Sequence, residues 1–124
     1  MRDEPEKLPA FDLGDRTKEF ALRIVRMFAA LPRTEEAMVL GKQVLKSGTS
    51  VGANYREAQR GMAKPEFIAK IGDCIQALDR TEYWLELLVE SNIVPAAKLS
   101  SLQDETRQLL AILMSVSKKS KLSA

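Results

Sequence analysis

Histidine is absent from this chain of 124 residues. That absence removes the commonest general base, the commonest zinc ligand and every Ser-His or Cys-His nucleophile pair. Di-iron helical bundles need Glu-x-x-His pairs and are excluded with it. Cysteine occurs once, as Cys74. No internal disulfide and no CxxC metal or redox motif can form, and a small apolar filler of a reduced core is expected. Aromatic residues make up only 6% of the chain, so the core must be aliphatic and repeated base stacking is not expected. The longest apolar run, Leu109 to Met114, is far too short to span a membrane. Met1 to Pro9 is charged and carries no apolar core of a signal peptide. A cytoplasmic protein with no membrane association is expected.

What is present points to helices. Met1 to Gly14 holds two prolines and a glycine and reads as a mobile arm (1–14). Asp15 can cap a first helix that stops near Pro32. Its buried stripe is Phe20, Ile24, Met27, Phe28 and Leu31. Thr34 followed by Glu35 and Glu36 starts a second helix, since a side-chain cap and first-turn acids suit the positive helix end. This pattern runs without proline to Gly61, roughly 42 Å of helix. Pro65 starts a third helix, running to about Ser91, and Pro95 a fourth, running to about Lys118. The fourth repeats Leu99, Leu102, Thr106, Leu109, Leu113 and Val116 at heptad spacing. Residues 119–124 read as a basic tail. Short turns between helices predict an all-α, antiparallel up-down-up-down four-helix bundle over residues 15–118.

The second helix carries three faces. Ala37, Leu40, Val44, Ser47, Val51, Asn54 and Ala58 form a seam of small residues. Lys42, Lys46, Arg56, Arg60 and Lys64 fall within about 40° of one line nearly opposite. Between them lie Gly41, Gly48 and Gly52. Each glycine inside a helix costs roughly 1 kcal/mol against alanine, so the flank predicts close approach of another helix. A phosphate loop is a poor reading, because nothing matches GxxxxGK[ST] after a strand. Residues 41–64 hold five basic groups and one acidic, whereas 65–92 hold two basic and six acidic. Opposite charge favours pairing of the second and third helices.

Three other groups stand out. Asn54, Tyr55 and Glu82 are expected to meet between the second and third helices as a polar network that fixes register. A catalytic carboxylate there lacks a partner. Tyr83, Trp84, Leu87 and Leu88 make the end of the third helix apolar almost all round, which predicts a subunit interface. Ser115-x-x-Lys118 matches SxxK in form only, on a helix end and without companion motifs. No catalytic residue, metal or cofactor is expected. The basic stripe has two readings: a solvated or assembly face, and a track for phosphates.

Three blocks carry a resemblance. Leu40-Gly-Lys-Gln-Val-Leu-Lys-Ser-Gly-Thr-Ser-Val-Gly-Ala-Asn-Tyr-Arg-Glu-Ala58, Glu66-Phe-Ile-Ala-Lys70 and Thr81-Glu-Tyr-Trp-Leu-Glu-Leu-Leu88 occur in this order. The chain resembles, over about Phe20 to Val116, the bacterial four-helix-bundle family known from reading frames inside 23S ribosomal RNA intervening sequences. Its members were once labelled S23 ribosomal proteins. The resemblance implies an antiparallel bundle assembling as a ring-like homopentamer, with no enzymatic activity. The family is similar to the accessory protein of diversity-generating retroelements, a basic pentamer that binds nucleic acid and a reverse transcriptase. The partners so implied are further copies of the chain, RNA or DNA, and a protein such as a reverse transcriptase.

Overall fold

The computed structural model describes residues 9–123, with side chains from residue 13 onward. Four helices follow in order: α1 (Pro9–Ala29), α2 (Glu35–Ala58), α3 (Lys64–Glu90) and α4 (Ala96–Leu122). There is no strand among the described residues. Each helix packs on its sequence neighbours, and α1 closes on α4 around one core.

The helix ends follow from identifiable residues. The Thr34 hydroxyl accepts the Ala37 amide at 3.3 Å, satisfying one orphan donor at the start of α2. The Glu66 carboxylate accepts the Ala63 amide at 3.2 Å at the start of α3, and Pro65 sits in that first turn. α2 gives way after the Gln59 cap to Gly61, whose φ of 72° lies in the left-handed region. Only glycine adopts that region freely. Asn92 does the same after α3, at φ 63°.

Two boundaries differ from the sequence expectation. α1 starts at Pro9, so residues 9–14 are helical rather than part of an arm. Proline suits a first helical turn, and Leu13 is fully buried, which anchors this turn to the core. Residues 1–8 of the expected arm, and residue 124 of the tail, lie outside the described residues. α4 continues to Leu122, taking in Lys119 and Lys121 of the expected tail. Those cations face the negative end of the helix, which holds the last turn together.

The core is aliphatic with one phenylalanine at its centre. Phe20, Ile24, Val44, Val51, Ile71, Leu78, Leu85, Leu109 and Leu113 are all buried. The contacts set the register. Ser47 meets Thr81, Val51 meets Cys74 and Glu57 meets Lys70, so numbers rise on α2 as they fall on α3. Arg16 meets Glu105 and Arg23 meets Ser101 in the same falling order.

Gly41, Gly48 and Gly52 lie against α1. A methyl group built on Gly48 would stand 2.7 Å from Cγ1 of the fully buried Ile24. One on Gly41 would stand 2.5 Å from Leu31 Cδ1, and one on Gly52 would stand 3.3 Å from the Thr17 carbonyl oxygen. Gly72, on exposed helix, has open space instead. Gly48→Ala is therefore expected to lower stability by about 1 kcal/mol, overpacking of ~1–3 kcal/mol outweighing the gain in helix propensity. Gly72→Ala should raise it by up to about 1 kcal/mol. Urea denaturation of both variants checks the signs; equal and positive shifts would mean that α1 yields freely at Ile24.

Candidate functional site

α2 is covered by α1 on one flank and by α3 on the other. Its remaining face points outward and carries Lys42, Lys46 and Arg56, with Arg60 in the turn just beyond its end, all exposed. Lys64 is exposed too but belongs to α3. α2 ends at Ala58, so the expected five-residue line has three members on α2, with Arg60 in the turn that follows. The Lys64 ammonium donates to the Ser123 carbonyl at the end of α4.

Among the described residues, four cations elsewhere are held in ion pairs. Arg16 holds Glu105 at 2.7 Å, Arg26 holds Glu19 at 3.0 Å, Lys70 holds Glu57 at 2.7 Å and Arg107 holds Glu82 at 2.9 Å. The Lys70 bond draws the Glu57 carboxyl below the usual carboxylate range and pushes the Lys70 ammonium up. No ion pair engages Lys42, Lys46, Arg56 or Arg60 among the described residues. Arg60 lies close enough to Glu57 to help hold that carboxyl down, while Lys42, Lys46 and Arg56 have no carboxylate partner among the described residues.

A groove borders this face on each side. The one between α1 and α2 has a volume of about 580 Å³ and is lined by Lys18, Thr49, Gly52, Arg56 and Arg60 among others, with Asp15 and Glu57 also on its wall. The one between α2 and α3 has a volume of about 370 Å³. Gln43, Lys46, Ser50 and Asn54 line it from α2, and Asp73, Gln76, Arg80 and Trp84 from α3. Lys18 and Arg80 thus extend the basic face beyond α2. Sequence spacing along one helix does not reveal them, because they join it only across helix contacts.

Asn54, Tyr55 and Glu82 are not brought together. Asn54 donates from Nδ2 to the Ser50 carbonyl at 2.9 Å and lies 3.4 Å from the Lys70 ammonium. Glu82 sits two turns further along α3, level with Ser47, and accepts from Arg107 Nε of α4. Tyr55 is buried, and burial raises its phenol above the ordinary value, with Cys74 a smaller cause. The buried polar contact between α2 and α3 is made by other residues. Thr81 Oγ1 lies 2.8 Å from Ser47 Oγ and 2.8 Å from the Ala77 carbonyl, with both hydroxyls in the core. Short side chains in an apolar seam are hard to single out by sequence alone, which is why this pair goes unremarked there.

The end of α3 is divided. Leu88 is fully buried in the core, so it is no part of a surface between subunits. Tyr83 is exposed, and Leu87 and Trp84 are half-buried. Trp84 packs partly on the core and partly lines the α2–α3 groove. Among the described residues no group of three His, Cys, Asp or Glu side chains gathers as a metal site, and no helix is long and apolar enough to cross a membrane.

Comparison with known proteins gives a consistent result. The family model for the 23S rRNA-intervening sequence protein matches residues 11–115. A crystal structure at 1.70 Å of a protein of unknown function from the S23 ribosomal protein family of Bacteroides thetaiotaomicron is similar at 35% identity. The match covers 86% of this chain and 98% of that one, with a TM-score of 0.80. No curated protein matches.

Cys74 faces the core and its Sγ donates to the Val51 carbonyl at 3.5 Å. Burial pushes the thiol up to about 12. A folded pKa above the unfolded one makes the native state hold its proton longer, so stability is lost as pH rises past about 9, where the unfolded thiol ionises. Stability measured by urea denaturation is expected to fall from pH 9 upward, and less steeply in Cys74→Ala. Parallel slopes in the two proteins would show that the thiol does not contribute.

Proposed function

The chain belongs to the 23S rRNA-intervening sequence protein family, and from that membership we propose that it is a non-enzymatic helical scaffold that holds nucleic-acid backbone on the outer face of α2. One observation carries the reading: Lys42, Lys46 and Arg56 on α2, with Arg60 just beyond it, are exposed, and none forms an ion pair among the described residues. Unpaired cations on a rigid helix displace the counterions condensed on phosphates, which drives association whatever the sequence. The face offers no base-reading helix end and one nearby aromatic, so backbone contacts dominate. RNA is the favoured nucleic acid, in keeping with the family's name. The opposed register of α2 with α3, and of α1 with α4, supports an antiparallel up-down-up-down bundle.

Self-assembly is the companion reading, and exposed apolar side chains favour it. Leu22 and Val25 on α1 are 43% and 44% exposed, and Val39 and Tyr83 are 57% and 53% exposed. The α1 residues and those of α2 and α3 form unlike surfaces. Contact between unlike patches on successive copies builds a ring where the rotation closes, rather than a two-fold dimer. We propose a homopentamer built this way, which repeats the basic face five times.

Two measurements test these readings. In a gel-retardation or anisotropy titration the protein should bind RNA at low salt, and affinity should fall steeply as salt rises. Lys42→Glu with Arg60→Glu should weaken binding and reduce the slope of log affinity against log salt by about 1 per lost phosphate contact. Unchanged binding with intact helical circular dichroism would refute the phosphate track. Light scattering should give a mass of five chains, and Leu22→Asp should lower it; a monomer in the unmutated protein ends the ring model.

A further inference from the structure

The α2–α3 groove has a chemistry that the outer face lacks. On one side Lys46 and on the other Arg80 put two cations across it, with no ion pair on either among the described residues. Gln43 and Gln76 add two side-chain amides, neither of them bonded within the described chain. At the end nearest Gln43 stands the indole of Trp84. The Ser47–Thr81 contact fixes the rungs: Trp84 is level with Gln43, and Arg80 with Lys46. One rung follows the next at three or four residues, about 5 Å along the helices. The indole does not swing freely, since it packs on the core and meets the Tyr83 ring edge-on at a centroid distance of 5.2 Å.

We propose that this groove is a nucleotide pocket for single-stranded nucleic acid, with one unpaired base stacked on Trp84 and its phosphate between Lys46 and Arg80. The proposal rests on the phosphate-binding reading above and adds a site for a base to it. A flat ring, a pair of cations and free amides match the three parts of a nucleotide: π-face, phosphate and base edge. A duplex keeps its bases stacked and offers none of them to the indole. A peptide would leave the paired cations without a partner unless it were acidic. Asp73 also lines the groove and would repel a phosphate beside it. It lies seven residues from Arg80, about 10 Å along α3, so the phosphate belongs at the Lys46–Arg80 rung.

Trp84 is the single tryptophan of the chain, so its fluorescence reports on this groove alone. The full-length protein is titrated with an end-labelled, mixed-sequence single-stranded RNA and, separately, with the same strand in duplex. Label anisotropy reports binding, and tryptophan emission reports stacking. The single strand is expected to quench Trp84 and the duplex is not. Arg80→Gln, an exposed change, should weaken single-strand binding. Trp84→Leu should weaken it about tenfold, the loss of one stacked base, while leaving the salt slope and duplex binding unchanged. Single-strand binding with unaltered emission, and equal affinity in Trp84→Leu, overturns the pocket and leaves the outer face standing. No binding of either RNA at low salt overturns both.

Discussion

Close approach of α1 to α2 is the constraint on which the rest of the molecule depends. Three glycines at Gly41, Gly48 and Gly52 leave no side chain on that flank, and Leu31, Ile24 and Thr17 fill the space. With α1 seated there, α2 is rotated so that its seam faces α3 and its cations face out. A bulkier flank would crowd α1 at Leu31, Ile24 and Thr17. The same residues that weaken α2 as an isolated helix thus fix its orientation in the folded chain.

The second layer of order is the pair of short hydroxyls, Ser47 and Thr81, inside an otherwise apolar contact. Sliding α3 by one turn would break the contact between them, about 0.5–1.5 kcal/mol, and leave each hydroxyl with the carbonyl of its own helix, Ala77 for Thr81 and Val44 for Ser47. Ion pairs then tie the rim: Arg16 to Glu105 between α1 and α4, Lys70 to Glu57 between α3 and α2, and Arg107 to Glu82 between α4 and α3. The pairs of Lys70 and Arg107 contribute little to stability individually, whereas Arg16 grips both oxygens of the part-buried Glu105 carboxylate. The Arg16, Lys70 and Arg107 pairs each tie one helix to another, whereas Arg26 and Glu19 pair within α1.

Helix count and most starts were legible in the sequence because they depend on local chemistry. Thr34, Pro65 and the leucines of α4 need no tertiary partner to be read. Where reading failed, a neighbour decided. Gly14 looked like a break, yet α1 runs through it because Leu13 is anchored in the core. Glu82 falls at the edge of the apolar face of α3, and a helical wheel does not say that Arg107 covers that edge. Lys64 keeps the angle of the stripe only if the helix continues, and Gly61 ends it. Leu88 and Leu87 differ by one position, and only the packed core tells which is inside. The α2–α3 groove joins Lys46 to Trp84, 38 positions later, and depends on register rather than on any motif.

The outward face of α2 has a consequence for how such a chain changes over generations. Its cations are exposed and make no contact that the fold requires. Surface substitutions of this kind usually alter stability by less than about 0.5 kcal/mol. Drift can therefore recharge the face or invert its sign while the glycine flank and the hydroxyl pair stay untouched. Architecture and surface charge are inherited on separate sides of one helix, so descendants sharing the scaffold are free to diverge in the charge they display.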